Sequence, residues 1–152
     1  MGLMIWIDGD ACPRAIKDII YKASQRTKTP VTLVANQRVN TPSIPLVKSV
    51  IVGRDFDAAD NYIVQNLKTG DIVITADIPL ADLVVSRKAH ALNPRGELYT
   101  EANIKDRLSM RDLLTELRGG GVISGGPREL GARDIKNFAA AFDRILTKCL
   151  HS

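Results

Sequence analysis

The sequence predicts an α/β protein whose largely parallel sheet is covered on both faces by helices. Two observations carry this expectation. Short apolar or β-branched runs alternate with amphipathic stretches of helical period, in the order strand, helix, strand, strand, helix, strand, helix, strand. Two of the runs, Met4-Ile5-Trp6-Ile7 and Ile72-Val73-Ile74-Thr75, stop at aspartates that lead into proline-containing helix starts. Ligands of open parallel sheets bind beyond the carboxyl ends of the strands, so acids at those corners stand where chemistry is expected.

The first run ends in Asp8-Gly9-Asp10 and enters a helix at Pro13, whose missing N–H costs nothing in a first turn. Ala15, Ile16, Ile19, Ile20 and Ala23 recur at helical spacing, and Thr29-Pro30 closes the segment. Val31 to Asn36 reads as a buried strand, Gln37 to Pro45 as a loop with two prolines, and Leu46 to Val52 as a third strand ended by Gly53. A helix opens near Asp55-Phe56-Asp57, carries Ala58, Ala59, Tyr62, Ile63 and Leu67, and stops before Thr69-Gly70-Asp71. After the fourth strand, Ile78-Pro79-Leu80 starts a helix that ends near Arg87-Lys88, and Ala89 to Leu92 is a short fifth strand turned by Asn93-Pro94-Arg95-Gly96. From Thr100, a helix through Ile104, Leu108, Leu113 and Leu117 is capped by Thr100 or Asn103. A glycine-rich stretch, 119–127, precedes a last helix with Ile135, Phe138, Phe142 and Leu146 on its apolar side.

A length of 152 residues fits one domain, 1–152, with the C-terminal third as a helical layer carrying the glycine-rich loop. No apolar run approaches the roughly 20 residues of a membrane span, and the opening residues lack the basic region of a signal peptide, so a cytoplasmic location is expected. Cys12 and Cys149 make neither a disulfide framework nor a zinc pattern, and His90 and His151 offer no companion ligands. A formal net charge of +4 favours a phosphate-bearing polyanion such as RNA as partner, although a solvated basic surface explains it equally. Aromatic residues make up only 5% of the chain, so RNA recognition would lean on backbone charge and shape instead of base stacking.

The carboxylates carry the functional expectation. Asp8 and Asp77 end apolar strands, Asp60 lies one helical turn after Asp57, Asp82 follows Asp77 in the same helix, and Asp10 follows Asp8 by two residues. Like charges brought together raise one another's pKa, and a divalent cation relieves the conflict. Oxygen ligands without histidine or thiolate suit Mg²⁺ or Mn²⁺, and the reaction such a site serves best is phosphodiester hydrolysis. Structural alternatives stand beside this. Asp10 and Asp57 can be helix caps, Asp82 a solvated helix charge, and Asp8, Asp60 and Asp77 partners of arginines. Cys12, at a helix start beside two aspartates and with no adjacent histidine, reads as packing and not as a nucleophile.

Five stretches carry a resemblance. Ile7 to Pro13, Val34 to Gln37, Asp55 to Asp60, Gly70 to Ala81 and Gly125-Gly126-Pro127 resemble, in order and nearly end to end, the YaiI/YqxD family of uncharacterised bacterial proteins, which is placed with PIN-like domains. The resemblance implies a three-layer α/β/α sandwich and an acidic metal cluster. It maps that cluster onto Asp8, Asp60 and Asp77, with Asp57, Asp82 or Asp10 as additional ligands; the family brings no settled activity, and the leading expectation, from the acidic cluster and its oxygen ligands, is a Mg²⁺- or Mn²⁺-dependent ribonuclease. Arg14 stands where the family pattern leads one to expect an apolar residue. Arg14, Arg38, Arg128 and Arg133 are candidate phosphate contacts, the last two beside the glycine-rich loop, which can be a phosphate cradle or a lid. Two rival readings remain: a non-catalytic nucleic-acid-binding or regulatory module on the same scaffold, and a small-molecule phosphatase built on Asp8-Gly9-Asp10.

Overall fold

A computed structural model describes residues 2–10, 12–55, 57–119 and 129–151. Six strands, β1 (Ile5–Asp8), β2 (Val31–Ala35), β3 (Val47–Ile51), β4 (Ile72–Ile74), β5 (His90–Leu92) and β6 (Leu98–Tyr99), form one sheet in the order β3-β2-β1-β4-β5-β6. All pairs are parallel except β5 with β6. The helices are α1 (Arg14–Thr27), α2 (Ala58–Asn66), α3 (Ile78–Ser86), α4 (Ile104–Gly119) and α5 (Ala132–Leu150). Among the described residues, no helix is long and apolar enough to cross a membrane.

Strand order explains the layers. From β1 the chain steps outward through α1 to β2 and by a loop to β3, then returns through α2 to β4 on the other side of β1 and continues outward through α3 to β5. Parallel crossovers are right-handed, so reversing the direction of travel moves the connecting helices to the other face. Residues of one strand alternate between the faces, and the core divides accordingly. Ile5, Ile7, Leu33 and Ile74 pack with Ile16 and Ile20 of α1 and with Phe138 and Phe142 of α5. Trp6, Val34 and Val73 pack with Ile63 of α2, Leu80 and Val84 of α3 and Ile104 of α4. The result is the expected three-layer α/β/α sandwich.

Where sequence and structure differ, the cause is packing at a distance. The C-terminal helices do not share one layer: α4 lies against α3 and α5 against α1, on opposite faces. Strand β6, absent from the sequence reading, is two residues long and shows no period; pairing with β5 alone defines it. The turn between β5 and β6 receives α5 so closely that a Cβ on Gly96, whose φ is +92°, would lie 2.7 Å from the backbone carbon of Asn137.

One buried carboxylate anchors the amino edge of the sheet, and another ties the turn after β5 to α5. Asp71, 2% exposed, accepts N–H groups from Met4 (3.1 Å), Lys68 (3.0 Å) and the Trp6 indole (3.0 Å). On the α5 side, buried Asp134 pairs with Arg95 at 2.8 Å and accepts from the Gly131 N–H at 3.1 Å.

Candidate functional site

The chain reverses its direction between β1 and β4, and in doubly wound sheets the crevice beyond the carboxyl ends of two such strands is the ordinary place for a ligand. Asp8 ends β1 at this crevice, while Thr75 and Asp77 follow β4. Asp60, in the first turn of α2, reaches the same place because α2 packs beside β1 and α3.

Local chemistry fixes two of these acids. The hydroxyl of Thr75 donates to Asp8 Oδ2 at 2.9 Å and accepts the backbone N–H of Asp77 at 3.0 Å, a short-range turn in which one side chain ties the two strand ends together. Asp77 is the N-cap of α3, its Oδ1 accepting the Leu80 N–H at 3.0 Å. One oxygen of each carboxylate is thus committed to the scaffold, leaving the other for further partners.

Electrostatics couple the group. Burial pushes the Asp60 carboxyl up to about 7, helped by the charges of Asp77, Asp8 and Asp57 and by a side-chain hydrogen bond with Asp77 that favours the protonated form. Burial also raises Asp8; the Thr75 hydrogen bond opposes this, and the charges of Asp77 and Asp10 add to it. None of these acids is in an ion pair with a described residue, so the arginine partners that would have made them structural are not found there.

The remaining candidates disperse. Asp10 does not cap α1, whose N-cap is Pro13; both its oxygens accept the Asn36 N–H, at 3.1 and 2.9 Å, tying the loop after β1 to the end of β2. Between Asp8 and Asp10, Gly9 approaches β2 so closely that a Cβ would lie 2.6 Å from a Leu33 methyl. Asp57 occupies the N-cap position of α2 without a side-chain cap bond, and its charge acts on Asp60. Asp82, on α3, is not among the groups acting on Asp8 or Asp60. Arg14 begins α1 and Arg38 follows β2, both at the carboxyl edge, while Arg133 lies in the first turn of α5; all three are exposed. Arg128 and the Gly125-Gly126-Pro127 segment lie outside the described residues. Cys12 is buried, its thiol pushed up to about 12 by burial, which fits packing.

Thr75 belongs to this site, and Tyr99 lies near enough for the charge of Asp77 to act on it; neither is among the candidates of the sequence reading. A threonine two residues before an aspartate at a strand end is a recognisable turn signal. The hydroxyl of Tyr99 accepts from Asn93 at 3.2 Å and is raised chiefly by burial, with Asp77 among the charges acting on it. Nothing local marks it, because β6 has no pattern of its own.

The donor set bears on the expected metal. Among the described residues, no three His, Cys, Asp or Glu side chains are grouped closely enough to hold a metal ion by themselves. Mg²⁺ is commonly held by one or two carboxylates together with waters and substrate phosphates. The interacting pair Asp60 and Asp77, with Asp8 beside them, fits that sparse mode of binding and not a closed protein cage.

Fold and site together define a doubly wound α/β protein with a group of acids at its switch point. Comparison with known proteins goes one step further: the family described as "Uncharacterized BCR, YaiI/YqxD family" matches residues 6–148, and the chain belongs to it. It is 52% identical to a UPF0178 protein of Maridesulfovibrio salexigens over 98% of this chain and 99% of that one. The figures are 51%, 97% and 96% for a UPF0178 protein of Geobacter metallireducens, and 54%, 96% and 95% for one of Citrifermentans bemidjiense. No solved structure matches.

Proposed function

We propose that the protein is a Mg²⁺- or Mn²⁺-dependent phosphodiesterase acting on RNA, with Asp8, Asp60 and Asp77 at its centre. The observation that supports this most is the approach of three carboxylates at the switch point without a neutralising ion pair among the described residues; burial raises Asp60 to about 7, and the charges of Asp77 and Asp8 add to it. Such strain is what a cation relieves, and strongly shifted acids in a cleft mark functional sites more often than structural ones.

Asp60 and Asp77 would hold the ion, and Asp8, oriented by Thr75, would complete the site together with a substrate phosphate. The ion would supply charge stabilisation on a phosphoryl oxygen and a more acidic attacking water. Asp77 keeps its orientation through the α3 cap, and Thr75 keeps Asp8 at a fixed distance from it, so the acids need little reorganisation when substrate arrives. Arg38 and Arg133, with the net charge of +4, favour a phosphate backbone as the substrate.

Calorimetric titration with Mn²⁺ of the wild type and of Asp60→Asn and Asp77→Asn, paired with cleavage of end-labelled RNA in Mg²⁺, Mn²⁺ or EDTA, tests the proposal. Metal-dependent cleavage by the wild type, lost in both variants with folding intact, is the expected result. RNA binding without cleavage in either metal would sink the hydrolase reading and leave the binding-module reading.

A further inference from the structure

A cavity lies on the α1 face of the sheet, where the connection from β2 to β3 crosses as a loop and not as a helix. Residues of that loop, among them Val39 and Ile44, pack onto the α1 and α5 side of the core. Between the loop and α1 they leave a cavity of about 560 Å³. That volume is within the range of small-molecule sites and far larger than one phosphate needs.

The helix supplies the cavity's charge. Arg14, Asp18, Tyr21 and Gln25 recur at intervals of four, three and four, which makes one stripe along α1, and Lys17 and Lys22 fall on either side of it. Arg14, Lys17 and Lys22 therefore line the cavity against the single acid Asp18, and none of the three cations is in an ion pair with a described residue. The opposite wall is Val39, Pro42 and Ile44, with the polar Asn40 and Thr41 between them. Within the lining, Tyr21 is 9% exposed, and its hydroxyl is buried without a hydrogen-bond partner among the described residues. A buried unpaired hydroxyl is destabilising unless something pairs with it. Surplus positive charge, an apolar wall and a spare polar group, in a space larger than a phosphate, together describe a ligand with an anionic end and a flat body.

We propose that this cavity binds a nucleotide unit, its phosphate against Arg14, Lys17 and Lys22 and its base along the Val39 and Ile44 wall. The source is either a free mononucleotide or one residue of an RNA strand. The site shares none of the carboxylates of the acidic crevice, so it goes beyond the hydrolase reading and stands or falls separately. Arg14 lies at the same carboxyl edge as Asp8, which would let a strand held in the cavity continue toward the crevice.

Titrating the ¹⁵N-labelled chain with 5′-AMP in EDTA, followed by NMR, tests this without any metal or turnover. Saturable shifts in residues 14–25 and 38–44 are expected, with 5′-AMP binding about tenfold or more tighter than ribose 5-phosphate and Lys17→Glu/Lys22→Glu weakening it by about tenfold or more in a spectrum that otherwise stays folded. A decamer of RNA binding the same residues about tenfold tighter than 5′-AMP would make the strand the source, and equal affinities would make it the free nucleotide. No saturable shift there by about 10 mM 5′-AMP, binding insensitive to the double charge reversal, or ribose 5-phosphate binding as tightly as 5′-AMP would overturn the proposal.

Discussion

Asp71 and Asp60 are the same residue type on opposite edges of one sheet, and their surroundings differ in kind. Asp71 is nearly inaccessible yet receives three N–H groups, two from the backbone and one from Trp6. Asp60 is more open and faces Asp77, Asp8 and Asp57. A carboxylate surrounded by donors is a structural part. A carboxylate surrounded by carboxylates stays only where something other than stability retains it. The comparison therefore predicts that substitutions of these two aspartates move stability in opposite directions.

The largest effect should come from Asp71→Ala. It leaves the Trp6 indole N–H and two backbone N–H groups without their acceptor, and stability should fall by about 3 kcal/mol in urea unfolding. A loss below about 0.5 kcal/mol would mean that water replaces the carboxylate and that the amino edge is not anchored by it.

Next comes Thr75→Val, which removes the donor to Asp8 and the acceptor for the Asp77 N–H together while keeping the shape of the side chain. A cost of about 1–2 kcal/mol is expected, with Thr75→Ser restoring most of it, because the hydroxyl and not the methyl joins the two strand ends. A serine variant as unstable as the valine would make the role one of packing.

Asp60→Asn should act with the opposite sign. In the folded metal-free chain, Asp60 keeps its proton up to about pH 7, whereas in the unfolded chain it loses it in the ordinary carboxylate range. The folded state holds the extra proton between those values, so its contribution to stability is complete at low pH and is lost as pH rises toward about 7. Replacing the carboxyl by a carboxamide removes that loss. At pH 8 in EDTA, Asp60→Asn should be more stable than the wild type by about 1 kcal/mol, a figure reduced because solvent screens a group this open, and the difference should vanish near pH 4. A destabilised variant at pH 8 would assign Asp60 to the structural class of Asp71.

The sequence carried one half of this contrast. Strand ends, helix starts and acidic corners follow from period and turn chemistry within a few residues, which is why Asp8, Asp60 and Asp77 could be selected before any coordinates. What it could not carry depends on partners far along the chain. Asp71 looked like one residue of a turn because its indole partner lies 65 positions away, and Asp10 looked like a cap because its Asn36 partner lies 26 positions away. Asp82 lies about a turn and a half beyond Asp77 in the helix that leaves the same corner, yet α3 does not bring it among the groups acting on Asp8 and Asp60. The faces taken by α4 and α5 and the existence of β6 are set by pairing and crossover handedness, not by their own residues.

Asp77 belongs to both classes, and its substitution should have the smallest effect on stability. As the N-cap of α3 it is a structural acceptor, and as a neighbour of Asp60 it is part of the repulsive group. Asparagine caps a helix about as well as aspartate, so in Asp77→Asn the Leu80 N–H keeps its acceptor, while the charge facing Asp60 disappears. Stability at pH 7 should change by less than about 0.5 kcal/mol, the lost cap charge offsetting the relieved repulsion. The Asp60 carboxyl, followed by ¹³C-detected NMR titration in EDTA, should meanwhile titrate at lower pH than in the wild type. An unchanged Asp60 titration would mean that burial and the charges of Asp8 and Asp57 raise it without Asp77, which would then be a cap and no part of the repulsive group.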